Sequence, residues 1–213
     1  RRWGTGYSQQ QSTRPQTLGY GLVDSPAGQC AWIIEKFWAW TDCAGHPEHA
    51  LNRDELLDNV MLYWLPGTGA SSARLYWESL HQRNLDPVSV PTGCSIFPRE
   101  IARLPRRWVE ARFADLRYWN ELDRGGHFAA FEQPGLFVDE IRAFGGEAVA
   151  HVGDVSSLAD ATAMVQLAID TFGGLDVVEE ACRVGVVERL HAEQVRAGFE
   201  PGYREGARST EAE

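Results

Sequence analysis

Leu116-Arg117-Tyr118-Trp119-Asn120-Glu121-Leu122-Asp123-Arg124-Gly125-Gly126-His127 decides the fold of this chain. Residues 116–122 predict a short strand rich in aromatics, and Arg124 to His127 predicts a sharp turn. Phe128 to Phe144 reads as helix, interrupted only at Pro134-Gly135, where a helix start or break belongs. One step upstream, Val88 to Val90 and Cys94 to Phe97 predict another strand, bordered by Pro91 and Gly93, and Pro105 to Phe113 predicts a helix. Strands alternating with helices are the pattern of a parallel sheet, because parallel neighbours need a long crossover connection. The fold class is therefore α/β.

Further upstream the alternation stops. Ser25-Pro26 opens a helix that reaches about Trp40: serine caps the free N–H groups and proline suits the first helical position. Asp54 begins a second helical pattern, with Leu56, Leu57, Val60, Met61 and Trp64 on a connected face, and Pro66-Gly67 stops it. Ser71 to Gln82 predicts a third helix, carrying Leu75, Tyr76, Trp77 and Leu80. Three helices with no strand between them predict a helical lid. Arg1 to Val23 reads as loop with short structured pieces. Downstream of Gly145-Gly146, Ala148 to Val152 and Leu175 to Val178 predict strands that can join one mostly parallel sheet, with a helix over Ser157 to Thr171 between them. Glu179 to Ala197 reads as a polar helix, and about Glu200 to Glu213 as disordered. The expected divisions are a lid over 1–86, a sheet-forming core over 87–144, a βαβ unit over 145–178 and a polar tail over 179–213.

Composition excludes several classes. The 213 residues are 44% hydrophobic and 23% charged, as in ordinary globular domains. A net charge of −10 argues against a nucleic-acid groove, which needs clustered Lys and Arg. No apolar run approaches the roughly 20 residues of a membrane span; the densest, Ala31 to Trp40, is interrupted by Glu35 and Lys36. Cys30, Cys43, Cys94 and Cys182 form no C-x-x-C pair and no zinc spacing with the histidines, so no metal site is expected, and free thiols suit a reducing cytoplasm. The first residue is Arg rather than Met and no signal-peptide pattern follows, so the start reads as the interior of a longer reading frame.

His127 is the first candidate for chemistry. It follows a strand and two glycines and opens a helix, at the carboxyl end of a sheet strand, where α/β ligands bind. A helix-capping histidine fits the position equally well. Glu100, in Phe97-Pro98-Arg99-Glu100, also follows a strand, so the two can meet across 27 positions of sequence. A carboxylate on Nδ1 fixes the tautomer and leaves Nε2 to take a proton from water. Asp115, Glu121 and Asp123 compete for that role, and strand-end placement favours Glu100. Tyr7 and Tyr76 are phenols that can donate to an oxygen gaining negative charge, or simply pack.

Several motifs, in one order, carry a resemblance. Tyr7-Ser8-Gln9-Gln10-Gln11-Ser12-Thr13-Arg14-Pro15-Gln16-Thr17, Asp24-Ser25-Pro26-Ala27-Gly28 and Ala31-Trp32-Ile33-Ile34-Glu35-Lys36-Phe37 come first. Tyr63-Trp64, Tyr76, Phe97-Pro98-Arg99-Glu100 and Gly125-Gly126-His127-Phe128-Ala129-Ala130-Phe131-Glu132-Gln133-Pro134 follow. Over about residues 3–144 the chain resembles the lid and C-terminal part of the epoxide hydrolases related to the microsomal enzyme, in the α/β-hydrolase superfamily. The resemblance implies a two-stage reaction in which an aspartate opens the epoxide as an ester and activated water hydrolyses it. It also implies Tyr7 and Tyr76 as the lid tyrosines, Glu100 as the acid and His127 as the base. It implies no cofactor, a small apolar epoxide as substrate and a role in detoxification.

Two departures stand out. The family's nucleophile elbow, a Gly-x-Asp-x-Gly-like motif, and its His-Gly-x-Pro segment do not occur in these residues, and Asp24 belongs to the lid's own Asp-Ser-Pro motif. The stretch Gly145 to Val178, with Gly153-Asp154-Val155-Ser156 and Gly173-Gly174-Leu175-Asp176-Val177-Val178, resembles a short-chain dehydrogenase. It lacks that family's Gly-rich phosphate turn and its Tyr-x-x-x-Lys, and has Glu179-Glu180-Ala181-Cys182 where Asn-Asn-Ala-Gly is expected. The chain therefore reads as a truncated or fused product with its junction near Glu140 to Gly146, and as inactive alone. The competing readings are a non-catalytic fragment that self-associates through an exposed sheet edge, a nicotinamide-dependent reductase remnant, and an esterase, for which no serine elbow is present.

Overall fold

The computed structural model describes residues 4–80, 86–153, 157–174, 177–181 and 184–189. Five helices form the lid: α1 (Gly6–Thr13), α2 (Pro15–Asp24), α3 (Pro26–Trp40), α4 (Arg53–Trp64) and α5 (Gly69–Leu80). The cap of α3 is the one the sequence predicts. Ser25 Oγ accepts from Gly28 N at 3.0 Å with Pro26 in the first turn. Asn52 and Glu55 form a reciprocal capping box. Asp24 ends α2, directly before that of α3 begins at its Ser25 cap.

Residues 6–13 and 15–24 are helical, which corrects the expectation of loop with short structured pieces over the described part of Arg1 to Val23. Their stabilisation is tertiary. Gln11 is buried and accepts from Trp32 Nε1 at 3.2 Å, and Gly19 lets α2 lie so close to α5 that an added Cβ would stand 2.9 Å from the Ala70 Cβ.

The lid packs on the segment that carries His127. Phe37, Leu51 and Leu56 form one buried cluster with Phe131, flanked by Ile33, Ile34, Ala50 and Phe128. Phe131 belongs to α7 (Ala129–Glu132), a single turn followed by α8 (Pro134–Ala143), with Pro134 at its first position. Next to Phe131, Ala130 packs the other way, with Val138 and Ala148. The α7 turn thus joins the lid to α8 and to the strand that carries Ala148.

Two strands, β1 (Thr92–Ile96) and β2 (Leu116–Glu121), pair in parallel across the short helix α6 (Arg106–Glu110). Isolated parallel bridges at Val88–Phe113 and Arg99–Gly126 extend the pairing beyond both ends. Glu140 of α8 fastens the pair, accepting hydrogen bonds from Ser95 Oγ (2.7 Å), Tyr118 OH (3.0 Å) and Asn120 Nδ2 (2.8 Å).

The later strands do not extend this sheet, which corrects the expectation of one chimeric sheet. β3 (Glu147–Val152), β4 (Val177–Ala181) and β5 (Val184–Arg189) make a separate three-stranded sheet in the order β3-β5-β4. β5 is antiparallel to both neighbours. Only two residues separate β4 from β5, a connection too short for anything but an antiparallel hairpin. That hairpin also replaces the helix expected at 179–189. β3 and β4 still run in the same direction, joined by α9 (Leu158–Phe172), as a βαβ unit requires. Asp154, Cys182 and the tail beyond residue 189 lie outside the described residues. Among the described residues, no helix is long and apolar enough to cross a membrane.

Candidate active site

The parallel register makes the central contact. Arg99 N donates to Gly125 O at 3.1 Å and Arg99 bridges Gly126, so the next residues on each chain segment, Glu100 and His127, come side by side. His127 Nδ1 lies 2.9 and 3.1 Å from the two Glu100 oxygens. Glu100 Oε1 also accepts from Ile101 N at 2.7 Å, which fixes the carboxylate. About a third of each side chain is exposed, so water reaches the pair.

The competing carboxylates are engaged elsewhere. Asp115 is gripped by Arg117 at 2.8–3.0 Å, and that hydrogen bond holds its carboxyl below the usual range. Glu121 accepts from Trp119 Nε1 at 3.3 Å, and Asp123 lies beside Arg124 on the surface.

Aromatic contacts run from this pair into the lid. The Trp40 ring meets His127 edge-on at 5.3 Å and Tyr7 at 5.1 Å, and Tyr7 meets Tyr76 at 5.7 Å. Lys36 holds its ammonium 4.5 Å from the Tyr7 ring centroid while pairing with Glu35 at 2.9 Å, a cation–π contact that favours one ring orientation. Burial first, then the neighbouring Tyr7 phenol and the hydrogen bond to it, push the Tyr76 hydroxyl above its ordinary value. Tyr76 thus stays a neutral donor. The four residues singled out in the sequence fall into two contacting pairs, Glu100–His127 and Tyr7–Tyr76, with Trp40 touching a member of each.

Three contributors were not singled out by sequence reasoning: Trp40, Asp42 and Glu132. Trp40 O accepts the His127 backbone N–H at 2.9 Å. Asp42 accepts from Gly125 N at 3.1 Å and pairs with Arg99 at 3.4 Å. Glu132 is buried and accepts from Asp42 N at 2.7 Å and from Phe128 N at 3.1 Å, and the Gly126 amide also favours its charged form. Backbone groups are the partners in most of these bonds, and no sequence signal marks them.

Burial raises the Glu132 carboxyl above the ordinary carboxylate range, against the pull of these three backbone amides; the nearby Asp42 charge raises it further. A carboxyl raised in the folded state contributes stability that is complete below its unfolded value and is lost as pH rises through the folded one. Asp42, with Arg99 upon it, is its charged neighbour. The urea midpoint of the chain, minus that of Glu132→Gln, should therefore fall as pH rises out of the ordinary carboxylate range. A flat difference would refute this.

No family model matches the chain. It is 59% identical over 140 residues, 65% of its length, to a protein of Stigmatella aurantiaca (strain DW4/3-1) named "Putative epoxide hydrolase", covering 32% of that protein. It is 43% identical over 154 residues to epoxide hydrolase 1 of Sus scrofa, covering 67% of this chain and 34% of the relative. The juvenile hormone epoxide hydrolase of the silkworm Bombyx mori superposes with a TM-score of 0.58 at 38% identity, over 66% of this chain and 40% of that one. The chain thus spans about a third of the length of the curated relatives it matches. The similarity supports the epoxide hydrolase family, and the solved neighbours have the α/β-hydrolase fold that the matched part shares.

Proposed function

We propose that this chain carries the phenol-bearing lid and the histidine–acid pair of an epoxide hydrolase. The observation that carries the reading is the Glu100–His127 pair, brought together at adjacent strand ends by a parallel register. In the reaction an aspartate carboxylate attacks an epoxide carbon and the C–O bond breaks. Tyr7 and Tyr76 donate hydrogen bonds to the departing oxygen, where charge develops. His127 Nε2 then takes a proton from water as its oxygen attacks the ester carbonyl, and Glu100 steadies the imidazolium through Nδ1–H. The imidazolium returns its proton to the diol oxygen leaving the ester, the opened epoxide oxygen ends with the second proton of the water, and the vicinal diol leaves with the carboxylate regenerated. The substrate is a small apolar epoxide, and detoxification is the corresponding role.

No Gly-x-Asp-x-Gly-like elbow occurs in the 213 residues, so the chain alone lacks the nucleophile and makes no diol. The lid (1–86) and the core (87–144) hold the chemistry. The dehydrogenase-like stretch 145–178 takes no nucleotide in this reading, since its Gly-rich phosphate turn is missing.

The test is single-turnover incubation with a styrene-type epoxide, followed by mass analysis. The chain alone should give no diol. Fused behind the aspartate-bearing half of a homologous enzyme, it should give diol. In that fusion His127→Gln should slow ester hydrolysis by about 10²–10⁴ and accumulate the ester adduct. Diol made by the chain alone and abolished by His127→Ala would overturn the missing nucleophile. A folded fusion giving neither diol nor adduct would overturn the function.

A further inference from the structure

We infer that Glu132 is a positioning residue for His127, a buried carboxylate that clamps the histidine's backbone to the end of the lid. The inference rests on the reading of His127 as the base. Two N–H groups converge on one side chain. Phe128 directly follows His127, and Asp42 is the second residue past the C-terminus of α3. A carboxylate is acceptor-only, so it can serve both donors at once.

The clamp is doubled by its neighbours. His127 N donates to Trp40 O, and Gly125 N donates to the Asp42 carboxylate. The amides of residues 125, 127 and 128 are thus held by residues 42, 40 and 132. Free rotation of the loop is removed, so the imidazole stays where Glu100 and the Trp40 ring meet it. Glu132 itself is held by the α7 turn, whose Phe131 is locked into the lid cluster. Lid packing and histidine placement become one mechanical unit.

The chain as it stands provides the test, with no epoxide needed. Amide hydrogen exchange and the ring ¹⁵N resonances of His127 would be followed in the wild type, Glu132→Ala and Glu132→Gln. Glu140→Gln serves as a second buried carboxylate away from the loop, and Glu100→Gln as the reference for an unpaired imidazole. In both Glu132 variants, exchange at Asp42 and Phe128 should quicken at least tenfold, while the β1–β2 amides keep their rates. The His127 ring signals should move toward those of Glu100→Gln, and Glu140→Gln should leave them in place. Unchanged exchange at the two amides would overturn the inference. So would uniform acceleration through β1–β2 in Glu132→Gln with the His127 ring signals unmoved, because Glu132 would then hold the fold and not the histidine. Neither result bears on diol formation by the fusion, so the two readings fail separately.

Discussion

Gly126→Ala should cost about 1–3 kcal/mol of stability and unpair His127 from Glu100. An added Cβ at 126 would press into the Trp40 carbonyl oxygen and stand 2.8 Å from Glu132 Oε1 and 3.0 Å from Asp42 N. None of these atoms is the loose end of a flexible chain. Trp40 O is already bonded to His127 N, and the Glu132 and Asp42 groups are bonded to each other. The methyl group can be admitted only by moving the loop away from α3, which breaks several hydrogen bonds together. Gly135→Ala is the control: nothing lies within 4 Å of its added Cβ, and it sits in the first turn of α8. There alanine should stabilise by about 0.4–1 kcal/mol by narrowing the unfolded ensemble. Urea midpoints of the two variants should shift in opposite directions, and equal shifts would refute the argument.

The same loop shows what could be read in advance. The contact of Glu100 with His127 was legible because each follows a strand, and parallel neighbours put their ends together. The cap of α3 was legible because Ser25 and Pro26 act locally. By contrast, α1 buries a glutamine, so no apolar stripe announces it, and α2 buries Leu22 beside a glycine pressed on Ala70; their partners lie on α3 and α5. The hairpin of β4 and β5 was hidden for a related reason. The choice between a parallel and an antiparallel partner is a tertiary matter, and Val177 to Ala181 is compatible with both. Trp40 reads as the end of an apolar helix, and Asp42 carries no reading in the sequence. Their work is done by a backbone carbonyl and a carboxylate on backbone amides, which sequence pattern does not display.

Phe37→Ala should be the most damaging single truncation in the lid, at about 3–5 kcal/mol. Phe37 is 3% exposed, and its ring lies 4.6 Å from Phe128 and 6.2 Å from Phe131. The lost contacts therefore fall on the residue after His127 and on the α7 turn that bears Glu132. A cavity there cannot close by side-chain motion alone, since Leu51 and Leu56 are fixed on the far side. Domains of this size have only about 5–15 kcal/mol to lose, so a sizeable fraction of the chain should unfold at modest urea. Leu65→Ala, at a residue 76% exposed just beyond α4, should change stability by no more than about 0.5 kcal/mol. The discriminating readout is the His127–Glu100 pair in the population that remains folded. If the lid cluster seats the histidine, Phe37→Ala should perturb the imidazole resonances even below the unfolding transition. If the lid only adds stability, those resonances will match the wild type until the chain unfolds, and the coupling through Phe128 and Phe131 would be wrong.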